Sequence, residues 1–174
     1  MSSPPLLICL DLQPSGLAAE SPTGRRLRIA AARQVIDRAR AADWEVTHAC
    51  REDLPQPASP LAGLRPLPCE AVYRRDGISA FDARHFPELL ERRRTGTATI
   101  LSFDIGCAAL VTALTAVARG NAVDLLTDAA GDSEVVEAAR GVARVSGHGR
   151  LRLRRFCDLP IPGERGLMLA ANQP

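Results

Sequence analysis

Three kinds of residue in this chain could do chemistry together: a carboxylate, a guanidinium and a thiol. Asp11 interrupts the apolar run LLICLDLQ, Arg74 and Arg75 close EAVYRR, and Cys107 shares a turn with Asp104 in TATILSFDIGCAALVTALTAVARG. A positioned carboxylate takes or gives a proton. A guanidinium holds a neighbouring anion ionised but does not donate its own proton at working pH. A thiolate at a helix start is a nucleophile, favoured there by the helix dipole and by a nearby arginine. Backbone N–H groups of such a turn can also form an oxyanion hole. Each residue has an ordinary structural reading as well. Arg75 can be a plain ion pair, Cys107 a small buried residue near a helix start, and Asp104 the helix N-cap.

These residues meet only if the elements between them are strands and helices in alternation. LLICLDLQ, WEVTHAC, EAVYRR, TATILSF, NAVDLLTDA and RLRLRRF read as six strands. RRLRIAAARQVIDRARAADW has helical spacing at Leu27, Ala31, Val35, Ala39 and Ala42. HFPELLERRR is a short helix with Pro87 in its first turn, and a helix over Ala108–Arg119 ends at Gly120. Asp132 caps the helix SEVVEAARGVARV. This order predicts an α/β three-layer sandwich: a six-stranded, mainly parallel sheet flanked by helices on both faces, in a single domain over residues 1–174. Ligands of such folds sit at the strand C-terminal ends, which is where Asp11, Arg75, Asp104 and Cys107 fall. The Pro-rich stretch from Glu52 to Pro68 is long enough to be either a lid or a plain surface excursion. RLRLRRF alternates as an edge strand does; its arginines are expected in solvent, with anion binding the lesser reading.

Composition removes several function classes. The 174 residues are 46% hydrophobic and 24% charged, with a net charge of +2 that gives no reason to expect nucleic acid. All 22 basic residues are arginine, so no step can use a lysine ammonium. No run approaches the roughly 18 apolar residues of a membrane span. MSSPPLLICLDLQ lacks the basic start of a signal peptide, so a cytoplasmic location with reduced thiols is expected. The five cysteines and three histidines are scattered, without CxxC, so a structural zinc site is not expected, and no cofactor is expected either.

LLICLDLQ, EAVYRRDGISAF, TATILSFDIGCAALVTALTAVARG and VDLLTDAAGD, in this order, resemble the isochorismatase-like cysteine hydrolase superfamily from about Leu6 to Val145. The superfamily includes nicotinamidases, N-carbamoyl amidohydrolases and isochorismatase itself. The resemblance implies the catalytic set Asp11, Arg75 and Cys107, with Phe103, Asp104 and Ala108 shaping the pocket or oxyanion hole. It further implies that Asp11 is the catalytic aspartate, and that Arg75 stands where the family has lysine. Counting four residues back from Thr112 puts Ala108 at the usual cysteine position, whereas Ile105-Gly106-Cys107 repeats an isochorismatase tripeptide; both alignments stay open. One residue is about 100° of helix rotation, so only one of the two faces the site. A cis peptide at Phe103–Asp104 is expected by the same resemblance, and Gln13 is expected to bond backbone near Asp11. Pro14, Ser15 and Gly16 replace a family segment that borders the pocket.

The function implied is hydrolysis of a small molecule at a C–N amide or vinyl-ether bond, by a degenerate Asp/Arg/Cys site. The alternative is an inactive family member that binds a small molecule or a partner. A homo-oligomer is expected in either case, because relatives assemble and apolar helices leave surface to cover.

Overall fold

A computed structural model, which describes residues 4–52, 61–93, 96–146 and 148–159, has six strands and four helices, alternating except between the second and third strands. They run β1 (Leu6–Leu10), α1 (Pro22–Ala41), β2 (Glu45–Arg51), β3 (Ala71–Arg75), α2 (Phe86–Glu91), β4 (Thr97–Ser102), α3 (Ala108–Ala118), β5 (Ala122–Leu126), α4 (Ser133–Ser146) and β6 (Leu151–Arg154). The sheet order is β3-β2-β1-β4-β5-β6, and every pairing is parallel. Residues 53–60 of the Pro-rich stretch, the candidate lid, lie outside the described residues.

All of β1 is buried, because its two faces meet two different apolar layers. Leu6, Ile8 and Leu10 join Phe86 and Leu90 of α2, Ala109 and Ala113 of α3, and Ala139 of α4. Leu7 and Cys9 join Ala32, Val35, Ile36 and Ala39 of α1. A parallel strand between two layers reads as a continuous apolar run for this reason. Alanines on the buried faces of α1, α3 and α4 let helices approach the sheet closely, which suits a chain only 3% aromatic.

Helix boundaries follow local chemistry. α1 starts at Pro22, earlier than its apolar spacing indicates, because the Ser21 side chain accepts from Gly24 N at 3.1 Å and Pro22 fits the first turn. α3 ends before Gly120, whose φ of +92° is the left-handed stop that glycine adopts without strain. Asp132 caps α4 as expected, its Oδ1 accepting from Glu134 N at 2.7 Å.

Candidate active site

The sheet order brings β1 and β3 to either side of β2, and their C-terminal residues meet across its end. Asp11 follows β1 directly, with φ at +49° in the left-handed region that aspartate tolerates better than most residues. Its N–H donates to Ala49 O of β2 at 2.9 Å, which fixes the bend. Arg75 ends β3 with its side chain fully buried, while the Asp11 side chain is 17% exposed. Arg75 Nη2 donates to Asp11 Oδ2, and Arg75 Nη1 donates to the Gly77 carbonyl. Asp11 Oδ1 and Arg75 Nε are buried without a hydrogen-bond partner. Burial pushes the Asp11 carboxyl above the usual carboxylate range, and the Arg75 guanidinium pulls it only part of the way back.

The segment after β3 is clamped onto α3. Ser79 caps a short 3-10 turn over Ala80–Asp82, and Ser79 N donates to Asp82 Oδ2 at 2.8 Å. Ala80 N donates to Thr112 Oγ1 at 2.9 Å. Gly77 must be glycine here, since a Cβ would lie 2.1 Å from Asp82 Oδ2. Gly77 O, the second anchor of Arg75, is thereby held in place. Gln13 bonds backbone as expected, donating to Arg51 O at 3.2 Å and accepting from Arg51 N at 3.2 Å.

The turn between β4 and α3 departs from expectation in three ways. All its peptide bonds are trans, as they are throughout the described residues, so Phe103–Asp104 is not a cis bond. The turn closes through side chains instead, with Asp104 N on Ser102 Oγ at 3.2 Å and Gly106 N on Asp104 Oδ1 at 2.9 Å. Asp104 is therefore engaged within the turn, and Cys107, not Asp104, occupies the α3 N-cap. Finally, Cys107 is exposed and does not pack beneath the helix. Among the described residues its thiol makes no hydrogen bond, either to the helix or to Asp11 or Arg75. Ala108, the first residue of α3, is half-buried against the apolar layer and lies one turn before Thr112. Phe103 is buried, and its carbonyl faces α1.

So the structure joins Asp11 with Arg75 and ties the Ser79 segment to Thr112, while among the described residues no hydrogen bond links Cys107 to Asp11 or Arg75. Sequence reasoning missed Arg28, which counted among the outward arginines of α1. Its Nη2 donates to Phe103 O and its Nε to Ala129 O at 2.8 Å, and it pairs with Glu20, so α1 anchors the loops after β4 and β5. No spacing signal distinguishes it from Arg25 or Arg26. His48 is a satisfied core histidine: its Nε2 lies 3.0 Å from Glu70 Oε2, and Arg40 donates to both oxygens of Glu70 at 2.8 Å. Among the described residues no three His, Cys, Asp or Glu side chains are placed to hold a metal, and no helix is long and apolar enough to cross a membrane.

The family model of the isochorismatase domain matches residues 5–151. No curated protein matches the chain. Among solved structures, an isochorismatase family protein from Desulfovibrio vulgaris is 22% identical with a TM-score of 0.75, covering 97% of this chain and 100% of that one. N-carbamoylsarcosine amidase from Thermoplasma acidophilum is 17% identical with a TM-score of 0.72, covering 90% and 98%. An isochorismatase from Pseudomonas putida is 19% identical with a TM-score of 0.71, covering 91% and 94%. At these identities the likeness is one of fold.

Proposed function

The chain belongs to the isochorismatase family, and from that premise we propose that it hydrolyses a small molecule with Asp11 as the group that moves the proton. The carrying observation is the Asp11–Arg75 pair at the strand ends, in which one Asp11 oxygen is bound to the guanidinium and the other is buried without a partner. A carboxyl raised by burial and held by a fixed cation is suited to giving a proton to substrate and taking one from water. Arg75 orients it and offsets its charge.

Of the two bond types, this geometry favours a vinyl ether over an amide. Protonating a vinyl ether needs an acid and then water. Amide cleavage by a thiol needs Cys107 to pass its proton to Asp11, and among the described residues no hydrogen bond joins the two. Phe103, Asp104 and Ala108 form the pocket wall on this reading, residues 1–174 act as one domain, and no cofactor takes part. The experiment is to follow pyruvate release from isochorismate and ammonia release from N-carbamoylsarcosine with the wild-type chain. Pyruvate alone supports the proposal; ammonia alone would replace it with thiol chemistry.

A second reading, a family member that binds without turnover, is favoured by one observation. Arg75 has no exposed side-chain surface and already holds Gly77 O and Asp11. Equilibrium binding of either compound without product would support it.

The expected cytoplasmic homo-oligomer is kept as part of this proposal. Val72 on the edge strand β3 is 44% exposed and Ile78 is 55% exposed, which gives apolar surface for a second copy. Sedimentation showing a monomer at high concentration would remove it.

A further inference from the structure

The opposite end of the sheet holds a cavity that the proposed chemistry does not use. Its volume is about 430 Å³, within the range of small-molecule pockets. It opens beside the first residues of β1 and β4, whereas Asp11 and Arg75 sit at the other ends of their strands.

A polar row crosses the sheet at this cavity. Thr99 of β4 lies in register with Asp124 of β5, and Asp124 with Arg152 of β6. Interior parallel strands are normally apolar on both faces, as Leu7 beside Thr99 is. The Asp124 side chain is only 6% exposed. Arg152 grips it with Nε 2.8 Å from Oδ1 and Nη2 3.3 Å from Oδ2, and Arg154 Nε adds a contact 3.3 Å from Oδ1. Two guanidiniums thus share one carboxylate, leaving a surplus of one positive charge. Both terminal nitrogens of Arg154 and Nη1 of Arg152 make no hydrogen bond to any described residue. Pro5 and Trp44 line the same cavity and give it apolar surface.

We propose that this cavity binds a small organic monoanion: a carboxylate on an aromatic or hydrocarbon body. The carboxylate takes the unused donors of Arg154 and Arg152, and the body lies against Trp44 and Pro5. Guanidinium and carboxylate match in bidentate geometry. A neutral molecule would leave those donors unanswered, and a cation would meet the surplus charge. This site is separate from Asp11 and does not depend on the function proposed above.

Trp44 is the only tryptophan of the chain and lines this cavity, so tryptophan emission can follow binding there. The probe is benzoate, with benzamide as its neutral counterpart, each titrated to about 10 mM, a range that captures millimolar binding. Benzoate should change the emission saturably and benzamide should not. Arg154→Gln removes the surplus charge but keeps the Arg152–Asp124 pair, and should weaken benzoate about tenfold or more. Gly96 also lines the cavity, and among the described residues a Cβ there meets only Arg93 O at 3.5 Å, so Gly96→Leu should fold and abolish binding by filling space. No saturable response in the wild type, an equal response to benzamide, or wild-type binding in either variant would overturn the proposal. The Arg–Asp cluster would then serve only to fasten the edge strand.

Discussion

Asp11 and Arg75, 64 residues apart in sequence, form an ion pair across the end of the strand that separates their own two strands. The pair bridges the C-terminal ends of β1 and β3 over β2 and so couples fold to site.

The first consequence concerns stability. Asp11→Asn keeps the side-chain shape and the tolerance for φ near +49° but removes the charge facing a fully buried guanidinium. Breaking one side of a buried pair costs about 3 kcal/mol. Urea unfolding should show a loss of that order, and adding Arg75→Met should recover part of it. Losses that simply add would mean the two side chains are not coupled.

The second concerns pH. Burial holds the His48 imidazole below its ordinary value, although the Glu70 hydrogen bond pulls it up, while Arg40 and the other donors to Glu70 hold that carboxylate low. A histidine with a depressed folded pKa binds fewer protons than in the unfolded chain, so stability rises with pH across that interval. Stability should therefore fall as pH drops below about 6.5, the unperturbed histidine value. Glu70 adds a further loss only below the ordinary carboxylate range. Asp11 acts oppositely, because its raised carboxyl loses stability as pH climbs through its folded value. Unfolding midpoints at pH 7.5 and 5.5 should differ less in His48→Gln than in the wild type; an unchanged difference would remove His48 from the account.

The third concerns thiols. Cys69, Cys107 and Cys157 are exposed, and Cys9 is buried. Burial, and to a lesser degree Asp11, pushes the Cys50 thiol up to about 11. Iodoacetamide should label the three exposed cysteines first and Cys9 last. Since no hydrogen bond links Cys107 to Asp11, Asp11→Asn should leave the Cys107 rate unchanged. A large change in that rate would show that the carboxylate acts on the thiol.

Much of this architecture is legible in the sequence, because its signals are local. Apolar runs gave the strands, alanine and valine spacing the helices, and Gly120 and Asp132 their limits. Asp11 and Arg75 were identifiable because strand ends deliver them to one edge. What stayed hidden depends on distant partners. The capping of α3 turned on Ser102 and Gly106 engaging Asp104, so the N-cap passed to Cys107. Arg28 looks like any outward arginine until the Phe103 and Ala129 carbonyls reach it. The arginines of β6 read as a solvated edge, yet two of them face a buried Asp124 that only the strand register brings beside them.

The most direct test of the central claim is the turnover of isochorismate by three proteins: wild type, Asp11→Asn and Cys107→Ala. If Asp11 moves the proton and the thiol plays no part, Asp11→Asn should lower kcat by about 10²-fold or more, the scale of lost general acid–base catalysis, while Cys107→Ala keeps wild-type turnover. Undiminished turnover by Asp11→Asn, or its loss in Cys107→Ala, would contradict the account.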